Sequence, residues 1–327
     1  GFFGNWILAA IHMLNEQHDF KLRATVVTRD PDALAARLPY LSQDRSFTTI
    51  RSDIRALAPV NDPHDILIHG ATTSAHETFN GASSLEKFDL LVDGTRAIMR
   101  SAETARCTRA VFLSSGVTYG PVAHGSALRE SDLEAPATVT EQTGLAHGKR
   151  AAEFIFAERC KSLGISGKIG RCFSFVGAGL PHDIHYAIGN FVASALANED
   201  IIIHSDGSAV RSYMDMRDCV IWIGLMLGHT SAQPLYNIGS PEAVSIRDLA
   251  ERVVRTLGSR SRILIKGNAT HTTGNQARNF YVPCVRQFQS DYAPPDLIPL
   301  ERAIQDYAAS LQQIQADTTR STLRLVS

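Results

Sequence analysis

A pair of glycines, Gly1 and Gly4, stands directly before a segment with helical periodicity and is the first feature that suggests a ligand. Glycines at the start of a helix let backbone N–H groups approach a pyrophosphate, whose negative charge the helix dipole also favours. The same tetrapeptide is equally typical of an ordinary helix N-cap. Both interpretations stay open on these residues alone.

The other residues that could bind a metal do not form a recognised metal-binding motif. His182, Asp183 and His185 follow a proline at a spacing that common metal sites do not use, and no cysteine is fixed near them. The five cysteines of the chain are scattered without a C-x-x-C pair, which indicates neither a zinc knuckle nor a disulfide framework. We therefore predict no metal site and a reducing, cytoplasmic location.

Short apolar runs alternate with helical segments, and these elements must position the glycine turn. Strands are predicted at residues 24–27, 47–50, 65–69, 110–115 and 165–171, and helices at 6–14, 88–104 and 141–163. Asp30-Pro31-Asp32 is interpreted as a turn. This alternation predicts an α/β protein with a Rossmann-type, doubly wound parallel sheet covered by helices on both faces.

The pattern changes after about residue 175, where Gly- and Pro-bearing loops surround helices predicted near 188–197 and 246–257. We predict a dinucleotide-binding domain at residues 1–172, to which segment 214–228 returns. Residues 173–327 are expected to form mainly a smaller C-terminal α/β substrate lobe, with a polar tail beyond residue 312 that frays.

Charge and hydropathy exclude two classes of partner. The 32 Lys and Arg residues against 33 Asp and Glu residues give a net charge of −1, which argues against a nucleic-acid binder. No run approaches the ~18 apolar residues of a membrane span, so no membrane partner is expected.

A dinucleotide fingerprint also needs an upstream glycine and a preceding strand, and neither occurs before Gly1. A doubly wound sheet holds that strand at its centre, so its loss would leave a gap between its neighbours. We therefore expect the sequence to be a fragment of a longer natural chain, which intact-mass analysis of the native protein tests.

Short motifs occur in a fixed order along the chain, at residues 1–4 (GFFG), 52–55 (SDIR), 69–71 (HGA), 92–95 (VDGT), 114–120 (SSGVTYG), 148–153 (GKRAAE), 206–213 (DGSAVRSY), 218 (D) and 236–240 (YNIGS). Together they resemble the extended short-chain dehydrogenase/reductases, and most closely the NAD-dependent epimerase/dehydratase family that acts on nucleotide sugars. The resemblance covers nearly the whole chain. It implies a nicotinamide cofactor, a nucleotide-sugar substrate and a homodimer paired through helix faces.

The resemblance implies a site for NAD or NADP. Asp53 would accept a hydrogen bond from the adenine amino group, unless it is an ordinary solvated turn residue. Arg29 stands where an acidic residue would hold a ribose 2′-hydroxyl and a basic one a 2′-phosphate, which tilts the choice slightly towards NADP, although the family's epimerases mostly carry NAD. The implied cofactor set is Gly1, Phe2, Phe3, Gly4, Arg29, Asp53, Ile54, Gly70, Ala71, Thr72, Ser114, Lys149 and Phe173.

The catalytic set departs from the family pattern at one position. In the family, a Tyr four residues before a Lys exchanges a proton with a sugar hydroxyl, and an earlier Ser or Thr holds that hydroxyl. The resemblance gives Ser115 and Lys149 such roles, but Leu145 stands at the Tyr position and cannot shuttle a proton. His147 is a weak surrogate, because on a helix it points roughly 160° away from the face of Leu145 and Lys149. Tyr119 is the other surrogate candidate.

Three interpretations of Leu145 stay open: a surrogate acts, the protein binds cofactor and nucleotide sugar with little or no turnover, or the substrate supplies its own acid–base group. A further alternative is that the chain is a truncated gene remnant that folds poorly. Gly116 and Val117 follow Ser115 where the family's dehydratases carry Asp-Glu and its decarboxylases carry Glu. We therefore predict an epimerase-like or ketoreductase-like protein, with a catalytically inactive binding or regulatory homologue as the alternative.

The resemblance also implies substrate contacts. Arg211 would grip a diphosphate, with a structural arginine as the rival interpretation. Asn190 would bind a phosphate or sugar, with a helix N-cap as its rival. Tyr119 would line the substrate, and Arg278 would make a second phosphate contact, although Cys284 occupies a nearby position where the family has Asp.

Overall fold

The computed structural model describes residues 1–73, 77, 81–120, 126–132, 143–184, 186–228, 233–267 and 280–326, with side chains as far as residue 314. Its helices are α1 Phe2–His18, α2 Pro31–Arg37, α3 Ser84–Thr104, α4 Gly144–Leu163, α5 Ala187–Ala197, α6 Met216–Gly228, α7 Ile246–Leu257, α8 Arg286–Tyr292 and α9 Leu300–Val326. Short 3-10 turns lie at Pro39–Ser42, Ile54–Ala56 and Gly116–Tyr119.

The strands are β1 Ala24–Thr28, β2 Phe47–Arg51, β3 Ile66–His69, β4 Arg109–Ser115, β5 Ser166–Cys172, β6 Phe175–Val176, β7 Ile201–Ile203, β8 Val210–Arg211, β9 Met214–Asp215, β10 Leu235–Ile238, β11 Val244–Ser245, β12 Ile263–Ile265 and β13 Phe280–Tyr281.

The chain divides into two compact units. The first comprises residues 1–118, 135–172 and 220–236, and the second comprises 119–134, 173–219 and 237–327. One boundary between the units falls after residue 172, and segment 220–236 belongs to the first unit. The reason is visible at β10, since the backbone N–H of Ile169 donates to Pro234 O, 2.7 Å away. Residues 119–134 join the second unit, where Leu128 N–H donates to Val282 O.

The first unit contains a four-stranded sheet in the order β10-β5-β4-β3, in which β3, β4 and β5 run parallel. Strands β1 and β2 form a separate parallel pair outside that hydrogen-bonded order. The parallel strands joined by helices confirm the predicted α/β, Rossmann-type class. The predicted strands lie within a residue or two of those observed.

Helices α3 and α4 pack tightly against each other because glycines remove side chains from their contact. A Cβ built on Gly144 would lie 2.0 Å from Ser84 O, and one on Gly148 would lie 2.9 Å from Leu91 Cδ1. Beneath them the apolar side chains of α3, α4, β4 and β5 form one core. Its buried members are Leu91, Met99, Ala102, Ala105, Cys107, Ala110, Phe112, Ala152, Phe156, Cys160, Ile165 and Ile169.

Helix starts account for the differences from the sequence interpretation of the first unit. Asp30-Pro31-Asp32 is not a turn but the start of α2, since the Asp30 side chain accepts from Ala33 N–H and Pro31 occupies the first helical position. Helix α3 begins four residues earlier than predicted because Ser83 and Glu86 form a capping box. Helix α1 already includes Gly4 in its first turn.

In the second unit, small sheets pack with α5, α7 and α9. The sheets have the orders β11-β8-β13, β12-β7 and β6-β9. Strand β9 ends at Asp215, because Met216 begins α6. The tail predicted to fray beyond residue 312 belongs to α9 in the structure. Within the described ranges, no helix combines the length and the apolar character needed to cross a lipid bilayer.

Candidate functional site

The carboxyl ends of β3 and β4 meet at one edge of the first unit's sheet. The parallel register pairs His69 with Phe112, so Gly70 follows β3 beside the last residues of β4. A Cβ built on Gly70 would lie 3.3 Å from Leu113 Cδ1, so the loop passes closely over β4. Open α/β sheets bind their ligands at such an edge.

Lys149 reaches this edge from α4. Its side chain is buried, with Nζ 2.7 Å from Leu113 O and 4.9 Å from the centroid of the Phe112 ring. Among the described residues, Leu113 O is its hydrogen-bond acceptor and no carboxylate lies within ion-pair distance. Burial lowers the pKa of Lys149 to about 8, against the attraction of the Cys172 and Glu153 side chains.

His69 packs on the same Phe112 ring as Lys149 and was missed by the sequence analysis. Its ring stacks on Phe112 with centroids 4.8 Å apart, and Nε2 lies 2.9 Å from Thr95 Oγ1. Because the Thr95 hydroxyl donates to Leu91 O, Nε2 is the atom that carries the His69 proton. Burial, with the charge of Lys149, lowers the pKa of His69 to about 3, so the imidazole is neutral.

Ser114 and Ser115 point to opposite faces of β4, as successive strand residues must. The Ser114 hydroxyl is buried and donates to Glu153 Oε1 at 2.5 Å, inside an ion pair in which Arg171 binds both Glu153 oxygens. Ser115 is half-buried, and its Oγ accepts a 3.3 Å hydrogen bond from Val117 N–H. Ser114 is therefore occupied within the fold, while Ser115 lies at the end of the strand.

Leu145 lies in the first turn of α4, one turn before Lys149. Its side chain is half-buried and packs against the core formed by α3, α4, β4 and β5. His147 is also half-buried, and its N–H donates to Thr143 O as part of the helix start. The position that could carry a phenol is thus filled by an apolar side chain in contact with apolar neighbours.

The start of α1 leaves space beside its glycines. No described atom lies within 4 Å of a Cβ built on Gly1 or Gly4, so packing within the described chain does not require glycine there. Gly1 is the N-cap without a side-chain hydrogen bond, and the rings of Phe2 and Phe3 meet edge-on at 6.0 Å. Backbone N–H groups at the start of a helix are those that bind anions.

Two charged residues of the implied cofactor set already have partners. Arg29 donates to both oxygens of Glu77, at 2.7 and 3.1 Å. Asp53 caps the turn Ile54–Ala56 and accepts from the N–H and guanidinium of Arg55, which lowers the pKa of Asp53 to about 2. Ile54 packs on α3, where Gly94 gives it room, and Ala71 and Thr72 follow Gly70 in the exposed part of the loop.

In the second unit, Tyr119 is 1% exposed and its hydroxyl donates to Asn237 Oδ1 at 2.6 Å. This burial favours a structural role over contact with a substrate. The N–H of Phe173 donates to Ile238 O, and its half-buried ring packs on the Tyr281 ring with centroids 4.6 Å apart.

The remaining implied residues of the second unit lie on α5 and β8. Asn190 is in the first turn of α5, whose N-cap is Tyr186, which excludes the N-cap alternative. Arg211 is half-buried and donates to Val210 O. His182 and Asp183 are exposed, and Arg278 and His185 lie outside the described residues.

Comparison with known proteins places these residues in a family context. The model of the NAD dependent epimerase/dehydratase family matches residues 1–239. Two curated relatives are UDP-glucuronic acid decarboxylase 1 of Danio rerio, 27% identical over 36% of this chain and 28% of that protein, and dTDP-glucose 4,6-dehydratase of Streptomyces niveus, 23% identical over 66% and 62%. The chain thus spans about a quarter of the length of the first curated relatives.

Solved structures show the same fold. One is UDP-glucuronic acid 4-epimerase from Bacillus cereus in complex with UDP-glucuronic acid and NAD, with a TM-score of 0.77 at 17% identity, covering 96% of this chain and 97% of that one.

Proposed function

Because the chain belongs to the NAD-dependent epimerase/dehydratase family, we propose that it binds NAD and a nucleotide sugar and acts as an epimerase-like or ketoreductase-like enzyme. Lys149 and Ser115 are its proposed catalytic residues. Its relatives include a decarboxylase and a 4,6-dehydratase. Gly116 and Val117 replace the acidic residues that such reactions would use after Ser115, which supports the proposed subclass.

The buried amine of Lys149 is the observation that carries this proposal. An ammonium has three N–H donors, and Leu113 O accepts from one of them. The amine is neither tied to a carboxylate among the described residues nor placed in bulk water. It therefore fits a role in holding the hydroxyls of a cofactor ribose, and the start of α1 fits a pyrophosphate, because helix N-termini bind anions.

We propose NAD rather than NADP as the cofactor. The tilt towards NADP depended on Arg29, whose guanidinium binds both oxygens of Glu77. A 2′-phosphate would have to compete with that carboxylate and would be repelled by it. Bound NAD would supply a hydride acceptor. Ser115 would orient the sugar hydroxyl, and Lys149 would hold the nicotinamide ribose.

The other proposed contacts await direct tests. We propose that Arg211, Asn190 and Arg278 bind the nucleotide diphosphate and sugar, that the protein works as a cytoplasmic homodimer, and that Asp53 recognises adenine. Because Asp53 already accepts from Arg55, binding of adenine would have to share or replace that interaction.

A second candidate function is a binding protein without catalysis, and Leu145 favours it. An apolar side chain in contact with the core offers no proton donor or acceptor at the place where a phenol would act. This candidate keeps the cofactor and nucleotide-sugar sites and loses only turnover.

Binding and turnover distinguish these alternatives. Calorimetric titration with NAD, in parallel with NADP, should show saturable binding of NAD, and Lys149→Met should abolish it. Absence of binding to wild-type protein would contradict the proposed function as a whole.

Leu145→Tyr should then raise turnover of a panel of UDP- and dTDP-sugars by roughly 100-fold or more, as a positioned acid–base group does. The matched control Leu145→Phe adds the ring without the hydroxyl and should give no gain. If the wild-type protein turns over a nucleotide sugar and Leu145→Tyr gives no gain, the substrate supplies its own acid–base group. If neither the wild type nor Leu145→Tyr turns over any sugar of the panel, the chain is a binding protein without catalysis.

A further inference from the structure

Three side chains with metal-ligand chemistry meet at the C-terminal half of α1. His12 and Glu16 are one turn apart on the same helix face, and Asp44 lies between the turn Pro39–Ser42 and β2. The His12 nitrogen and one oxygen each of Glu16 and Asp44 all lie within 4.8 Å of one another. The 32 residues that separate His12 from Asp44 explain why spacing in the sequence gave no sign of this cluster.

The distances are close to those of a tetrahedral cation site. With bonds of about 2.0–2.2 Å, neighbouring ligand atoms of a zinc ion stand about 3.3–3.6 Å apart. His12 Nδ1 and Asp44 Oδ2 form a 3.0 Å hydrogen bond, so a cation would take the place of the proton between them, and the Glu16 side chain is exposed. Two carboxylates and a neutral imidazole would balance the charge of a divalent cation.

The surroundings hold two of the ligands in place. The His12 ring stacks on Tyr40 with centroids 4.2 Å apart and an angle of 10° between the planes. Asp44 Oδ1 accepts from Ser46 N–H at 2.8 Å, which fixes the carboxylate and leaves Oδ2 directed at His12. Such outer contacts orient ligands in metal sites. The Tyr40 hydroxyl is itself a buried atom without a partner among the described residues.

We propose that His12, Glu16 and Asp44 form a site for a divalent transition-metal cation, with Zn²⁺ as the expected ion. An imidazole ligand favours Zn²⁺, Co²⁺ or Ni²⁺ over Mg²⁺ and Ca²⁺, which take oxygen ligands. The ion would tie α1 to the segment before β2, where Leu8, Leu34, Leu41 and Phe47 already form an apolar cluster. Its role is structural and independent of the proposed function.

Equilibrium dialysis tests this site on the full chain. Chelator-treated protein is dialysed against ZnCl₂, and bound zinc is measured by atomic emission, with MgCl₂ in parallel. We expect a saturable equivalent of Zn²⁺ that raises the melting temperature, and no uptake of Mg²⁺. His12→Gln and Asp44→Asn should each weaken this binding by at least about tenfold, and Glu16→Gln should weaken it by less.

His18→Gln is the matched control, since His18 is an exposed histidine in the last turn of the same helix. It should bind Zn²⁺ as the wild-type protein does. Melting without metal shows whether each variant folds, and Glu16→Gln, at an exposed position, keeps the test available if His12→Gln unfolds. Equal binding by the wild type, His12→Gln and Glu16→Gln would overturn the proposal, as would an equal loss in His18→Gln.

Discussion

Glu153 and Lys149 are buried charged residues of α4, four residues apart, and they differ in how many partners neutralise their charge. The carboxylate of Glu153 accepts two hydrogen bonds from the Arg171 guanidinium and one from the Ser114 hydroxyl. The amine of Lys149 has one backbone carbonyl and the face of the Phe112 ring. Both side chains are nearly inaccessible, at 7% and 4% exposure, so the difference is not one of depth.

The difference separates a fully paired charge from an incompletely compensated one, for which we propose a function. A buried charge is costly unless it is paired, and the network of Glu153 is closed on itself. Lys149 keeps its charge at a cost that its described neighbours do not offset, as its lowered pKa shows. Such an incompletely compensated charge at a sheet edge is typical of sites that await an anionic or hydroxylated ligand.

Breaking the closed network should have the largest effect on stability. Arg171→Met leaves Glu153 buried and unpaired, so we expect the free energy of unfolding to fall by about 3–5 kcal/mol, measured by urea denaturation. Arg159→Met is the control, because the ion pair of Arg159 with Glu103 is exposed, and it should change stability by less than about 1 kcal/mol. Equal losses of stability in Arg171→Met and Arg159→Met would contradict the interpretation that the buried network stabilises the fold more than an exposed ion pair does.

Removing the charge of Lys149 should raise the free energy of unfolding. The pKa of Lys149 is about 8 in the folded chain, below the ordinary 10.5, so between these values the unfolded chain binds more protons. The penalty of burying the charge is full below pH 8 and is relieved as pH rises towards 10.5. We expect Lys149→Met to gain up to roughly 3 kcal/mol over the wild type at pH 7.

The gain of Lys149→Met should shrink as the pH approaches 10.5, and denaturation midpoints of both proteins from pH 6 to 10 measure it. Lys161→Met, an exposed lysine of the same helix, should show no such pH-dependent difference. A pH-independent difference for Lys149→Met would show that Lys149 is held as tightly as Glu153.

The smallest effect compares the two serines of β4. Ser114→Ala removes a buried donor from Glu153 and should lower the free energy of unfolding by about 1–2 kcal/mol. Ser115→Ala removes a half-buried acceptor at the strand end and should cost less. Thermal denaturation of both variants compares the two losses of stability. A larger loss in Ser115→Ala than in Ser114→Ala would show that Ser115 has a structural role.

The sequence predicted the class of fold and the family, because alternating apolar runs and the ordered motifs are local signals. The predicted turn at the start of α2 and the predicted start of α3 were wrong, although Asp30 before Pro31 has the pattern of an N-cap and Ser83 with Glu86 has the spacing of a capping box. Both patterns are local and visible in the sequence.

Other features could not have been predicted, because they depend on tertiary contacts. The Glu77 that neutralises Arg29 is 48 residues away from it. The burial of Tyr119 depends on Asn237, 118 residues further along the chain. Periodicity indicates which face of an element is apolar, but it does not tell which distant polar group will complete a hydrogen bond.

The glycines that bring α3 and α4 together also limit attempts to re-engineer the start of α4. Leu145 lies between Gly144 and Gly148, at the stretch where backbone atoms of α3 stand within contact distance of α4. The constraint falls on the two glycines themselves. Any substitution that enlarges Gly144 or Gly148 would have to be compensated on α3, where Ser84 and Leu91 lie closest to them.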